Sequence, residues 1–217
     1  MLSEDRHRVA ALRALDVLDR PRRADLDSLT RLAAYVCGTP TAVINLIDAD
    51  RQWPAAAHGC SPMPMPRAES MCATSILTPD VSYTPDASHD PRWATNPFVS
   101  GRRGEIRLYA AAPLTLPGGE IIGTICAFVD EVTELSRLQL ERLRDIADQA
   151  VRMLELRRAT GSATPRPADR PAQPSTVRRG ATACGGQAPA RRGMPGSAVL
   201  GPGRLQGGQR RLRSRGR

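Results

Sequence analysis

The chain has 217 residues, enough for one sizeable domain and an appendage. Its formal charge of +9 is unevenly spread: residues 1–160 carry 19 Arg against 21 Asp plus Glu, net −2, whereas residues 161–217 carry 12 Arg against Asp169 alone, net +11. The basic balance therefore describes a tail and not the ligand of a domain, no apolar run approaches the ~18 residues of a membrane helix, and five cysteines without a C-x-x-C pair fit reduced thiols better than a disulfide framework or a structural zinc site.

Ser3 is placed to cap a first helix with Glu4 and Asp5 in its first turn, and Val9, Leu12, Leu15 and Leu18 follow at helical spacing until Pro21. A second helix is expected over 25–37, where Leu26, Leu29, Ala33 and Val36 form one apolar stripe, with Gly38 and Pro40 stopping it. The run AVINLI over 42–47 is apolar on both alternating faces except at Asn45, the pattern of a central strand covered on both sides. Asp48-Ala49-Asp50 then turns the chain into a second strand over 52–58. The three prolines of 60–67 predict a loop without strand or helix. A short helix follows over 69–77, a short strand over 81–83, and a long Pro, Gly, Asp and Asn-rich segment over 85–104.

Residues 107–114 and 121–129 read as a hairpin, with Pro117-Gly118-Gly119 suited to a type II turn. Ser136 with Gln139 makes a capping box and Leu135 with Leu140 its hydrophobic staple. The helix they start carries Leu140, Leu143, Ala147, Ala150 and Leu154 at three-four spacing to about residue 158. Residues 161–217 contain no aromatic residue and are rich in Gly, Pro and Arg. Such a segment buries too little apolar surface to offset the ~1–2 kcal/mol per residue of ordering a backbone, so a disordered tail is expected. The division is a domain over 1–160 and a tail over 161–217.

Several motifs lie in one line through this domain: Asp48-Ala49-Asp50-Arg51-Gln52-Trp53, Glu69-Ser70-Met71-Cys72-Ala73, Asp86 to Trp93 with Asp90-Pro91-Arg92, Asn96-Pro97, Arg107 to Leu114, and Gly123-Thr124-Ile125-Cys126. Together they resemble the GAF domain, a bacterial signal-input module of the type found before diguanylate cyclase, histidine kinase or phosphatase domains, over roughly residues 4–157. The resemblance implies an α+β fold: a central antiparallel sheet with the N- and C-terminal helices on one face and, on the other, a ligand cavity under loops and a short helix. It also implies a non-catalytic cytoplasmic sensor that binds a small ligand or senses redox state and relays it through its terminal helices.

Strand alternation puts Arg107, Tyr109, Ala111 and Pro113 on one face and Thr124, Cys126 and Phe128 on one face of the partner strand. If these faces line the cavity, Arg107, Tyr109 and Cys126 are candidate ligand-binding residues. Trp53, Cys72, Asp86, Trp93 and Asn96 complete the candidate set, drawn from the expected roof. Each has a structural alternative: a buried thiol for Cys72 and Cys126, hydrophobic roofing for the two Trp, and turn-forming side chains for Asp86 and Asn96. Cys72-Ala73-Thr74 stands where many relatives carry Cys-x-His, which weakens a metal or haem reading. No catalytic residue and no metal ligand is assigned, His7, His58 and His89 lack metal-ligand spacing, and the residues select no cofactor.

Two other classes of function compete. One is a free methionine sulfoxide reductase, which needs an attacking and a resolving thiol close together, and only Cys72 and Cys126 qualify. The other is binding of nucleic acid or an acidic partner through the Arg-rich tail, against which stands the lack of interleaved aromatics. The expected partners are an unidentified small molecule, a second copy of the chain through the terminal helices, and a separate output protein. The helical stripe serves equally for packing on its own sheet.

Overall fold

The computed structural model describes residues 2–161. Its centre is a six-stranded antiparallel sheet in the order β3-β2-β1-β6-β5-β4, formed by β1 (Thr41–Ile47), β2 (Arg51–His58), β3 (Met65–Pro66), β4 (Ser82–Thr84), β5 (Leu108–Thr115) and β6 (Ile121–Val129). Four α-helices surround it: α1 (Leu2–Ala14), α2 (Ala24–Cys37), the short α3 (Met71–Ser75) and α4 (Arg137–Gly161). The expected disordered tail lies, beyond Gly161, outside the described residues.

Alternation along the strands sorts the interior into two layers. Ala42, Ile44 and Leu46 of β1, Leu108, Ala110, Ala112 and Leu114 of β5, and Ile125 and Ala127 of β6 pack with Leu12 of α1, Leu26, Leu29 and Ala33 of α2, and Leu143, Ala147, Ala150 and Leu154 of α4. The odd residues of β1 and β5 face the other way: Val43, Ile47, Tyr109 and Ala111 join Cys126, Met71, Cys72, Ile76, Trp93 and Phe98 in a second apolar cluster under α3 and the long loops. Both faces are thus covered, as the two-sided apolar character of β1 requires.

Local stops and starts follow side-chain chemistry. Gly38 takes the left-handed conformation, φ 65°, and ends α2, with the Thr39 N–H reaching the Ala34 carbonyl at 2.9 Å. The capping box of α4 is formed: Ser136 N–H donates to Gln139 Oε1 at 2.9 Å, and Gln139 N–H donates to Ser136 Oγ at 3.3 Å. Gln139 also donates to the Val36 carbonyl, fixing the start of α4 beside the end of α2.

Four local expectations are corrected. The first helix begins before Ser3, so Ser3 does not cap it, and it ends at Ala14 although the apolar ladder runs to Leu18. Beyond that point Asp16 and Asp19 take positive φ, and Asp19 is held there by two bonds from Arg51. The Pro117-Gly118-Gly119 turn is not type II: the Gly119 N–H closes on the Leu116 carbonyl at 2.8 Å and positive φ falls on Gly119, a type I turn followed by a left-handed glycine. The stretch 60–67 does contain a strand, because Met65 and Pro66 pair with Gln52 and Arg51 at the sheet edge, where a proline forfeits little. Cysteine chemistry is mixed: Cys37, Cys72 and Cys126 are free thiols, whereas Cys60 is disulfide-bonded.

Candidate functional site

The site begins with one polar residue in an apolar strand. A register irregularity between Ile44 and Asn45 sets Asn45 opposite Pro54 of β2, while the regular pairing with β6 sets it opposite Thr124, on the cavity side of the sheet. Above it, Ser70 caps α3 by accepting the Ala73 N–H at 3.0 Å, and the same hydroxyl bonds to Gln52 of β2. That cap hangs the short helix over the floor and brings Cys72 down onto it.

Three of the residues expected at the site meet there. Cys72 Sγ lies 3.8 Å from Cys126 Sγ and 3.3 Å from the Tyr109 hydroxyl. Asn45 Nδ2 lies 3.3 Å from Cys72 Sγ and 3.6 Å from Cys126 Sγ, with the amide assigned so that its nitrogen faces the sulfurs. Ser75 Oγ is 3.3 Å from the Tyr109 hydroxyl. All these groups are buried. Asn45 Oδ1 and Thr124 Oγ1 are buried as well and have no hydrogen-bond partner of regular geometry.

The groups line a cavity of about 50 Å³. Asn45, Gln52, Tyr109 and the two thiols supply its polar positions, and Val43, Pro62, Met65, Met71, Phe98, Ile106 and Phe128 supply the rest. Hydrogen bonding from Cys126, opposed by burial and supported by Thr124, Tyr109 and Asn45, pulls the Cys72 thiol below its ordinary range. Cys126 moves up, because its bond to Cys72 and its burial both favour the neutral thiol. Burial chiefly, with the adjacent sulfurs, raises the Tyr109 phenol, so it stays a donor. Cys37 is the contrast: buried without such donors, it is pushed up to about 11.

The remaining candidates build the roof or lie elsewhere. Trp93 is buried beside the cavity, donates to the Met71 carbonyl at 3.3 Å and meets Tyr109 edge-to-face with ring centres 5.0 Å apart. Its outer face carries the Arg92 guanidinium at 4.1 Å. Asn96 donates to the Glu69 carbonyl and accepts from Phe98 N–H, tying the long loop to the segment before α3. Asp86 accepts from the backbone and hydroxyl of Ser88 and contacts His89, a turn made from its own side chain. Arg107 reaches the Val99 and Ile106 carbonyls at 3.1 and 3.2 Å and lies before β5 begins. Trp53 packs against the helix-side core, under the Arg51 guanidinium, on the far side of the sheet from the cavity.

Asn45, Gln52 and Thr124 belong to the site without having been singled out for it. Asn45 carried a readable signal, a lone amide in an otherwise apolar strand. Among the described residues, no group of three or more His, Cys, Asp or Glu is placed to hold a metal, and no helix is long and apolar enough to cross a membrane.

The GAF domain profile matches residues 21–154. Over 124 residues the chain is 36% identical to a cyclic di-GMP phosphodiesterase of Pseudomonas aeruginosa, a match covering 57% of this chain and 21% of that protein. The chain thus spans about a fifth of the length of that curated relative. Among solved structures it is similar to a type II free methionine-R-sulfoxide reductase of Thermoplasma acidophilum, with TM-score 0.52 and 14% identity over 62% of this chain and 92% of that one. It is also similar to the GAF domain of an Acinetobacter phosphoenolpyruvate-protein phosphotransferase, with TM-score 0.51 and 15% identity over 74% and 96% of the two chains. At these identities the likeness to solved structures shows the fold alone. The profile covers more than half of the sequence, and the chain therefore belongs to the GAF domain family, the sensory and regulatory modules of signal transduction.

Proposed function

We propose that this domain is a non-catalytic input module whose signal enters the cavity between α3 and the sheet, as a small molecule or as a change in the oxidation state of Cys72 and Cys126. The observation that carries the reading is the convergence of the buried Asn45, Tyr109 and both thiols on one half-open cavity. Its output runs through the sheet to the terminal helices. Tyr109 and Cys126 alternate with Ala110 and Ala127, whose opposite faces pack in the layer that holds Leu143, Ala147 and Ala150 of α4. An occupant that displaces the first pair strains the second, because close-packed interiors transmit small shifts. The likeness to part of a cyclic di-GMP phosphodiesterase supports a place in signalling, with the receiving partner met through α4 or through a second copy of the chain.

Native mass spectrometry of the full chain tests this reading. A stoichiometric adduct that disappears in a Cys72→Ala protein supports the cavity as the input. A bare chain whose α4 amide exchange is unchanged by oxidation of the thiols overturns it. The same spectrum reads subunit number.

A second reading, thiol-dependent reduction of free methionine sulfoxide, is favoured by the 3.8 Å separation of the sulfurs. Cavity size weighs against it: about 50 Å³ is a third of the roughly 150 Å³ that admits a benzene, and an amino acid is larger than benzene. Sulfoxide turnover that vanishes in Cys72→Ser would restore it.

A further inference from the structure

The size and chemistry of the cavity narrow what its thiols can meet. The space beside the thiols, about 50 Å³, suits a molecule of a few atoms. Its sulfurs are 3.8 Å apart, and Cys72 receives the Tyr109 hydroxyl and the Asn45 amide, so one sulfur is set up to attack and the other to resolve. Asn45 Oδ1 is buried at the cavity and has no hydrogen-bond partner. An orphaned buried acceptor costs about 1–3 kcal/mol, so Asn45 Oδ1 calls for a guest that carries an O–H or N–H donor. Hydrogen peroxide has that size, two O–H donors, and an O–O bond that a thiolate cleaves.

Resting on the redox arm of the function proposed above, we infer that Cys72 and Cys126 form a site of oxidation by a small hydroperoxide, hydrogen peroxide above all, with Cys72 the attacking and Cys126 the resolving sulfur. The Cys72 sulfur attacks one peroxide oxygen, the O–O bond breaks, and the departing hydroxide takes the former thiol proton and leaves as water. Cys72 is then a sulfenic acid. The Cys126 sulfur attacks it, the S–O bond breaks, and the hydroxyl leaves with the Cys126 proton as a second water. Two thiols are oxidised to one disulfide and one peroxide is reduced to two waters. Tyr109 and Asn45 are positioning residues: the hydroxyl and the amide N–H hold the attacking sulfur, and Asn45 Oδ1 accepts a peroxide O–H.

The full chain, reduced and desalted, is exposed to hydrogen peroxide or to the bulkier cumene hydroperoxide, blocked with N-ethylmaleimide under denaturing conditions and mapped by peptide mass. The expected result is a Cys72–Cys126 linked peptide that forms with hydrogen peroxide and at least about tenfold more slowly with cumene hydroperoxide, Cys37 remaining blocked by the maleimide. In Cys126→Ser the oxidation stops at a Cys72 sulfenic acid captured by dimedone, and in Cys72→Ser the Cys126 thiol stays reduced. Recovery of both residues as maleimide adducts from the unsubstituted chain overturns the inference without appeal to any variant, as does equal reactivity toward the two peroxides. Thiols that stay reduced in a chain carrying a stoichiometric native adduct overturn the oxidation and leave the sensory reading intact. A disulfide that forms without changing α4 amide exchange leaves the chemistry standing and overturns the relay.

Discussion

Gly123 of β6 lies so close to Asn45 of β1 that a Cβ added to it would come within 2.1 Å of the Asn45 carbonyl oxygen and 2.9 Å of Leu46 Cα. Both obstacles are backbone, so neither can swing aside. Gly123→Ala is therefore expected to push β1 from β6 and to destabilise the domain by about 1–3 kcal/mol, the usual cost of overpacking. Urea unfolding checks this through a lowered midpoint at unchanged slope.

The donors around Cys72 have a direction that can be titrated. Tyr109→Phe removes one hydroxyl and Asn45→Leu one amide from the sulfur, and each loss disfavours the thiolate. The pH midpoint for reaction of Cys72 with a small methanethiosulfonate is expected to rise in both variants. One unit of rise corresponds to about 1.4 kcal/mol and a tenfold slower reaction on the alkaline-rising limb. Tyr109→Phe keeps the ring that meets Trp93, so unchanged stability with a raised midpoint assigns the effect to the hydroxyl. A midpoint that stays fixed in both would show that these donors do not activate the sulfur.

Much of this architecture was legible in the chain, and the failures have physical causes. The apolar runs of β1, β5 and β6 and the stripes of α2 and α4 read correctly because burial dictates their residue types. Strand alternation put Tyr109 with Ala111 on one face of β5 and Cys126 with Phe128 on one face of β6, and the pairing register makes these one side of the sheet. Cys72 beside Cys126 was not readable, since 54 residues separate them and only the hang of α3 from Ser70 brings them together. Trp53 was expected in the roof but opposes Leu46 on the helix side, a direction set by the register irregularity between Ile44 and Asn45, which the sequence does not mark. The sequence marks Asp86 and Asn96 as polar loop residues, but it cannot say that their side chains bond to their own loops, because that depends on backbone geometry.

Arg67, which leads into α3, grips Asp5 of α1 through two bonds of 2.8 and 2.9 Å. The hydrogen bond from Arg67 first, and that from Arg8, outweigh partial burial and bring the Asp5 carboxyl down to about 2 from 3.8. A carboxylate whose folded value is depressed stabilises the protein above its unfolded value, and that stabilisation is lost as pH falls from 3.8 toward 2. The pair is partly solvated, with Asp5 37% exposed, so its contribution is small, on the order of 0.5–1 kcal/mol. Asp5→Asn is expected to lower the thermal midpoint at pH 7 and to converge with the unsubstituted protein near pH 2. An undiminished gap at pH 2 would mean that the substitution acts through something other than charge.

The two tryptophans give an optical check on which side of the sheet carries the site. Trp93 is 1% exposed and bonded to the Met71 carbonyl above Tyr109, whereas Trp53 is half-buried under Arg51 on the helix side. In Trp53→Phe, emission comes from Trp93 alone and should be blue-shifted and shielded from acrylamide. In Trp93→Phe, emission from Trp53 should be redder and more readily quenched. Oxidation of the thiols then distinguishes them again: it should change the Trp93 signal, because Trp93 meets edge-to-face the tyrosine that bonds to Cys72, and leave the Trp53 signal nearly constant. An oxidation response confined to Trp53 would place the site on the opposite face of the sheet and undo the assignment of Cys72, Tyr109 and Cys126 to a shared cavity.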